Sequence, residues 1–170
     1  MVTVLQATTD DQIHKTQELF VEYFDFLRAD VDKVDDLNDV PPLAGYREEI
    51  ASLPGRYAPP DGRLLLAFDE AEAAGCVAFY KLDEGVCEVK RLWVRPNFRG
   101  KKIGRILVET LIEEAQYSGY AAIVLSTVDV LTEAIALYQS LGFEQIEPYY
   151  EMPEGMLAHE VFLKLDLAQK

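Results

Sequence analysis

Cysteine is scarce in this chain, and long apolar runs and an excess of basic residues are missing altogether. Two cysteines, Cys76 and Cys87, occur in 170 residues, so no disulfide framework staples the fold. Both fall in strand-like segments, which predicts reduced, buried thiols and a cytoplasmic protein. The apolar runs are far shorter than the roughly 20 residues of a membrane-spanning helix. The opening stretch Met1–Gln6 has no basic segment ahead of an apolar one, so no signal peptide is expected. Sixteen Lys and Arg face 30 Asp and Glu, a formal net charge of −14. A general nucleic-acid binder needs a cationic footprint, which this balance excludes. The excess of acid suits cationic substrates such as amines, and serves solubility equally well. His14 and His159 join no nucleophile or metal pattern, and the cysteines lack zinc-site spacing, so no metal is expected. There is no Gly-x-x-x-x-Gly-Lys-Ser/Thr loop and no Gly-x-Gly-x-x-Gly after a parallel strand, which argues against a nucleotide enzyme. No repeat, low-complexity tract or linker appears, which predicts one domain over 1–170.

What is present suffices for a core. Hydrophobic residues make up 49% of the chain, the range of a globular protein. Val2 to Ala7 alternates like a strand, and Thr8-Thr9-Asp10 caps a helix running to about Arg28. Residues 30–39 read as an acidic loop with a helical turn, broken by Pro41-Pro42, and Leu43 to Leu53 as a short helix. The region from Asp30 to Gly62 is a candidate substrate-facing insert or a plain connection. Arg63 to Phe68, Ala74 to Leu82 and Val86 to Val94 form an antiparallel meander. A helix from about Lys101 to Ser118 ends at Gly119. Ala121 to Leu125 is apolar throughout and central, Leu131 to Ser140 is a helix, and strands follow over Phe143–Ile146 and Met156–Leu165. The order β-α-α-β-β-β-α-β-α-β-β predicts a mixed α/β (α+β) fold with one mostly antiparallel sheet flanked by helices.

One stretch concentrates charge against the overall balance. Seven of the 16 bases lie between Lys90 and Arg105. There a buried strand ends at Pro96-Asn97, a turn carries Arg99, Gly100, Lys101 and Lys102, and a helix begins with Ile103, Gly104 and Arg105. A helix N-terminus presents unpaired N–H groups and about half a positive charge. Glycines let a ligand approach the backbone. The combination predicts an anion site, most naturally for phosphate or pyrophosphate.

These residues resemble the GNAT superfamily of acyl-CoA N-acyltransferases. Arg99-Gly100-Lys101-Lys102-Ile103-Gly104 is similar to its Arg/Gln-x-x-Gly-x-Gly/Ala pyrophosphate loop, and Leu137-Tyr138-Gln139-Ser140-Leu141-Gly142-Phe143 to its Leu-Tyr-x-x-x-Gly-Phe segment. Glu88-Val89-Lys90-Arg91-Leu92-Trp93-Val94 and Pro148-Tyr149-Tyr150 resemble a bacterial subgroup whose substrates are often unassigned. Two positions depart from the pattern. Lys102 stands where Gly is usual, a change tolerated if its dihedrals are helical. Leu131 stands where many members carry an Asn that touches the pantetheine arm.

The resemblance implies an acetyl-CoA-dependent N-acetyltransferase that transfers directly, without an acyl-enzyme, to a primary amine of a small acceptor. A non-catalytic acyl-CoA-sensing module of the same fold is the alternative. The pyrophosphate falls to Arg99, Gly100, Lys101, Lys102, Ile103, Gly104 and Arg105. The pantetheine lies like an added strand along Leu92, Trp93 and Val94, passing Ser126 and Thr127, or these two form a plain strand end. Tyr138 is the implied proton donor to the departing thiolate, its ordinary pKa being about 10, against a simply packed tyrosine. Glu88 is the implied base, with burial raising its pKa. It could instead position the strand through an ion pair with Lys90 or Arg91, and a water could serve in its place. Trp93, Tyr149 and Tyr150 are acceptor-pocket walls or core. Homodimers are common in the superfamily and one is expected here.

Overall fold

The computed structural model describes residues 1–30, 43–151 and 159–167. Most of the loop expected over 30–39, the expected break at Pro41-Pro42 and the first residues of the expected last strand lie outside them. Seven strands form one sheet in the order β1-β2-β3-β4-β5-β7-β6. They are β1 (Val2–Gln6), β2 (Arg63–Asp69), β3 (Glu72–Asp83), β4 (Val86–Val94), β5 (Ala122–Val128), β6 (Glu144–Gln145) and β7 (Glu160–Asp166). Among the described residues four α-helices accompany them: α1 (Asp10–Asp30), α2 (Tyr46–Ala51), α3 (Ile103–Tyr117) and α4 (Thr132–Ser140). Every pairing is antiparallel except β4 with β5. The element order is the expected one. No helix among the described residues is long and apolar enough to cross a membrane.

Local chemistry sets the boundaries. Thr9 caps α1 through a reciprocal box: its Oγ1 accepts from the Gln12 N–H at 3.2 Å, and Gln12 Oε1 accepts from the Thr9 N–H at 3.1 Å. α2 is shorter than expected because Gly45, at φ 79°, precedes it and the chain turns out at Ser52. β5 runs three residues past the expected Leu125, since β7 carries pairing out to Val128. Alternation along the strands divides the core. Leu65, Ala67, Val77, Cys87, Val89, Ile123 and Leu125 face α3 and α4, whereas Leu64, Leu66, Cys76, Ala78 and Trp93 face α1 and α2. Both cysteines are buried free thiols, as expected. Burial pushes the Cys87 thiol up to about 12, which leaves it neutral and inert.

β4 is irregular where it matters. Between the pairs Cys76–Trp93 and Ala78–Lys90, one residue of β3, Val77, stands opposite two of β4, Leu92 and Arg91. The extra residue is a bulge, and Arg91 within it has φ 64°. A left-handed backbone at a non-glycine residue costs on the order of 1 kcal/mol. The Arg91 side chain, 3% exposed, is anchored: its Nε and Nη2 donate to Glu49 of α2 at 2.9 and 3.3 Å. Tyr57 and Arg56 also donate to Glu49, at 2.8 and 3.0 Å. Burial raises the Glu49 pKa, but Arg91, Tyr57 and Arg56 outweigh it and hold the carboxyl below the ordinary value. Its contribution is therefore full above the unfolded pKa and fades as pH falls through the lower native one.

Breaking a buried pair from one side leaves an uncompensated charge. Glu49→Ala should lower the unfolding free energy by about 3 kcal/mol, measured by urea denaturation at pH 7. A loss below about 1 kcal/mol would show that the bulge stands without this anchor.

Candidate active site

Before the bulge, from Val89 on, β4 loses one neighbour. β5 pairs only with Val86, Cys87 and Glu88, through Ala122, Ile123 and Val124. From Val89 to Val94 on one side and Leu125 to Val128 on the other, the two strands part. β4 then keeps only β3, and β5 only β7. A wedge opens in mid-sheet, edged by main-chain groups of β4 with no strand partner among the described residues. Such an edge takes an extended ligand as an added strand. Leu92 and Val94 pack toward α3 and α4. Trp93 packs to the other face, 8% exposed, with its ring 5.4 Å from Phe26 and its Nε1 donating to Glu22 at 3.3 Å. Trp93 is therefore core rather than an acceptor-pocket wall, and only its main chain lines the wedge.

The α3 N-terminus lies at the end of β4. A Cβ added at Gly104 would sit 3.7 Å from Val94 and 3.5 Å from Leu137 of α4. Unlike α1, α3 has no side-chain cap and no acidic residue in its first turn. Its N–H groups are left for an anion. Gly100 has φ 86° and open space around it. Lys102, expected to be helical, is instead left-handed (φ 64°, ψ 22°) and stands just outside the helix, which is why α3 starts at Ile103. This position favours glycine for a backbone reason, and lysine occupies it under strain. The other cations of the loop are already engaged. Arg99 lies 5.0 Å from the centre of the Trp93 ring, with its Nε donating to the Val94 carbonyl at 3.1 Å. Lys101 pairs with Asp69 at 2.7 Å and Arg105 with Glu109 at 2.7 Å. The main chain forms the cradle, and the side chains supply charge around it.

Tyr138 comes from α4. It is 4% exposed, with its ring 5.3 Å from Phe143. Burial pushes its phenol well above the ordinary value, so it stays protonated and able to donate. On β5, the Ser126 hydroxyl is bonded to the Tyr150 hydroxyl. Thr127 takes the opposite face, that of Ile123 and Leu125.

Glu88, at the apex of the wedge, differs from expectation. Its Oε1 accepts from Tyr80 at 2.7 Å and from Lys90 Nζ at 2.9 Å, and its Oε2 accepts from Tyr149 at 2.5 Å. Burial raises its pKa, but Lys90 and the two phenols outweigh that, so the carboxyl lies below the ordinary range. A carboxylate so fully engaged is a poor proton acceptor. Glu88 is instead the tie between β4 and the tyrosines, and of the two ion pairs expected for it the one with Lys90 forms. Tyr149 and Tyr150 stack on Phe162 at 5.4 and 5.1 Å and wall the same face. Tyr80, Glu49 and Glu160 belong to this polar face too. Nothing in the sequence marks them, because each sits at an ordinary polar position of an alternating strand or short helix.

Residues 17–143 match the Acetyltransferase (GNAT) family. An uncharacterized N-acetyltransferase of Schizosaccharomyces pombe is 41% identical over 124 residues, 72% of this chain and 74% of the relative. Among solved structures, a GNAT-family acetyltransferase of Staphylococcus aureus superposes with a TM-score of 0.75 at 17% identity, covering 99% of this chain and all of the other. A PaiA N-acetyltransferase of Thermoplasma acidophilum in complex with coenzyme A also gives 0.75, at 14% identity over 98% and 99% of the two chains.

The Glu88–Lys90 pair carries its own test. Glu88→Gln strands the Lys90 ammonium, 8% exposed, and should cost about 3 kcal/mol of stability. Adding Lys90→Met should restore part of it, since both charges are then gone. A double variant no more stable than the single one would mean that the two residues do not act as a pair.

Proposed function

We propose, from the premise that the chain belongs to the acetyltransferase (GNAT) family, that it moves the acetyl group of acetyl-CoA directly to a primary amine of a small, cationic acceptor. The observation that carries this is the wedge between β4 and β5. It runs from the uncapped α3 N-terminus to a buried polar face on the α1–α2 side, and α4, which carries Tyr138, packs against that N-terminus through Leu137. One end suits a pyrophosphate, the middle an extended arm, and the far face an amine.

The residues suit these duties without rearrangement. The N–H groups of Gly100 to Arg105 bind anionic oxygens, and Arg99 and Lys102 add charge near them. Main-chain groups of Leu92 to Val94 hold the pantetheine as an extra strand, and a free N–H there polarises the acetyl carbonyl where negative charge develops. The amine attacks from the tyrosine-lined face. As the C–N bond forms and the C–S bond breaks, the Tyr138 phenol gives its proton to the sulfur. A phenol, with an ordinary pKa of about 10, holds its proton at neutral pH and so has one to give.

Binding and chemistry separate experimentally. Acetyl-CoA at about 100 times its Kd should add about 2.7 kcal/mol of stability by mass action, seen as a higher Tm, while ATP and NAD should leave Tm unchanged. Equal stabilisation by all three would sink the assignment. Tyr138→Phe should lower kcat by about 100-fold, the lower range for general acid catalysis, with CoA affinity unchanged. Unaltered turnover in that variant would remove Tyr138 from the chemistry.

A further inference from the structure

Glu88 is engaged on both oxygens, yet an amine that arrives as an ammonium must lose a proton before it can attack. Another carboxylate on the same face is placed to receive it. Glu160 opens β7 and pairs with Val128 at the far end of β5, beyond the point where β4 has parted. It shares its face with Phe162, two residues along, whose ring carries Tyr149 and Tyr150. It thus lies on the tyrosine-lined side, one step nearer the open end of the wedge than the Ser126–Tyr150 bond. Its Oε2 is buried and has no hydrogen-bond partner among the described residues. A buried, unpartnered carboxylate oxygen calls for a ligand or a chemical role.

The charged and titratable groups around it come from four places. Lys90 of β4, which already pairs with Glu88, exerts a field that favours the ionised form. Asp129, just past β5, opposes ionisation and pairs with His159 at 3.2 Å. Tyr23 of α1 and Tyr150 both sense the Glu160 charge.

We propose that Glu160 is the carboxylate that binds the acceptor's ammonium and takes its proton. The proposal rests on the amine-transfer reading above. The ammonium gives one proton to the free Glu160 oxygen and becomes a neutral amine. Its nitrogen bonds to the acetyl carbon as the carbon–sulfur bond breaks. The nitrogen's second proton leaves to solvent, and the sulfur takes one from Tyr138, which solvent restores. Glu160 returns its proton to solvent before the next turnover. Burial supports this duty by pushing the carboxyl up to about 7, against the pull of Lys90 and with the help of Asp129. A base poised there is near the optimum for exchanging protons at neutral pH.

Two measurements test it. The first titrates wild-type protein carrying 13C-carboxyl glutamate by NMR, with the Glu160 signal assigned by Glu160→Asp. A midpoint near 7 is expected, and an ordinary carboxylate midpoint would overturn the proposal whatever the acceptor. The second follows CoA release with spermidine as the amine probe. Wild-type kcat/KM should gain a limb falling about tenfold per pH unit below 7. Glu160→Gln should lose that limb and run about 100-fold slower at pH 8. Glu160→Asp should regain a limb, at lower pH. Survival of the limb in Glu160→Gln would overturn the proposal. Failure of the underlying reading looks different: wild-type protein would gain no thermal stability from acetyl-CoA, while the NMR titration would still decide Glu160.

Discussion

The parting of β4 from β5 is the constraint on which the site depends. A sheet satisfies its main chain by pairing both edges of every inner strand. Here an inner strand gives up one edge over Val89 to Val94, and along that stretch it carries a bulge whose Arg91 takes a backbone shape that arginine rarely adopts. That shape is supported from the side, by Glu49 on a six-residue helix. The short helix α2 therefore matters for its carboxylate more than for its length. The strain in the bulge, the buried ion pair and the unpaired edge are three parts of one arrangement.

Around the wedge, ionisable groups fall into two kinds. Glu49 with Arg91 and Glu88 with Lys90 are buried pairs, satisfied by hydrogen bonds and fixed in charge. Tyr138 and Glu160 have pKa values displaced upward by burial, and Glu160 has an oxygen with no hydrogen-bond partner among the described residues. The first kind holds the walls apart, and the second can exchange protons. The contrast follows from geometry. A carboxylate accepting three hydrogen bonds is stabilised as an anion, whereas one with a bare oxygen in an apolar setting is not.

Much of this was legible in the chain. The apolar periods of α3 and the meander, the breaks at Pro96 and Gly119, and the Gly100-to-Arg105 turn placed the strand–loop–helix unit and its anion site by local rules. Their order predicted the sheet. What escaped was what depends on register and burial. Alternation did not reveal that Lys102 is left-handed, since a lysine carries no sign of positive φ. It did not show that Glu88 would meet Tyr80 and Tyr149, which are 8 and 61 residues away. Glu160 looked like any outward polar residue of a strand, because only the tertiary packing of Tyr150 and Phe162 covers it. Trp93 was ambiguous for the same reason, as its face is set by a bulge with no local sequence rule.

The stacking of Arg99 on Trp93 has an optical consequence. Trp93 is the single tryptophan of the chain. Its indole meets Tyr23 and Phe26 of α1 and also the guanidinium of the cradle loop. Any shift of Arg99 toward a bound anion changes the polarity and charge beside the sole indole fluorophore. The chain thus carries, without any label, a reporter for the state of its own anion loop, and the light it emits comes from the strand that the loop follows.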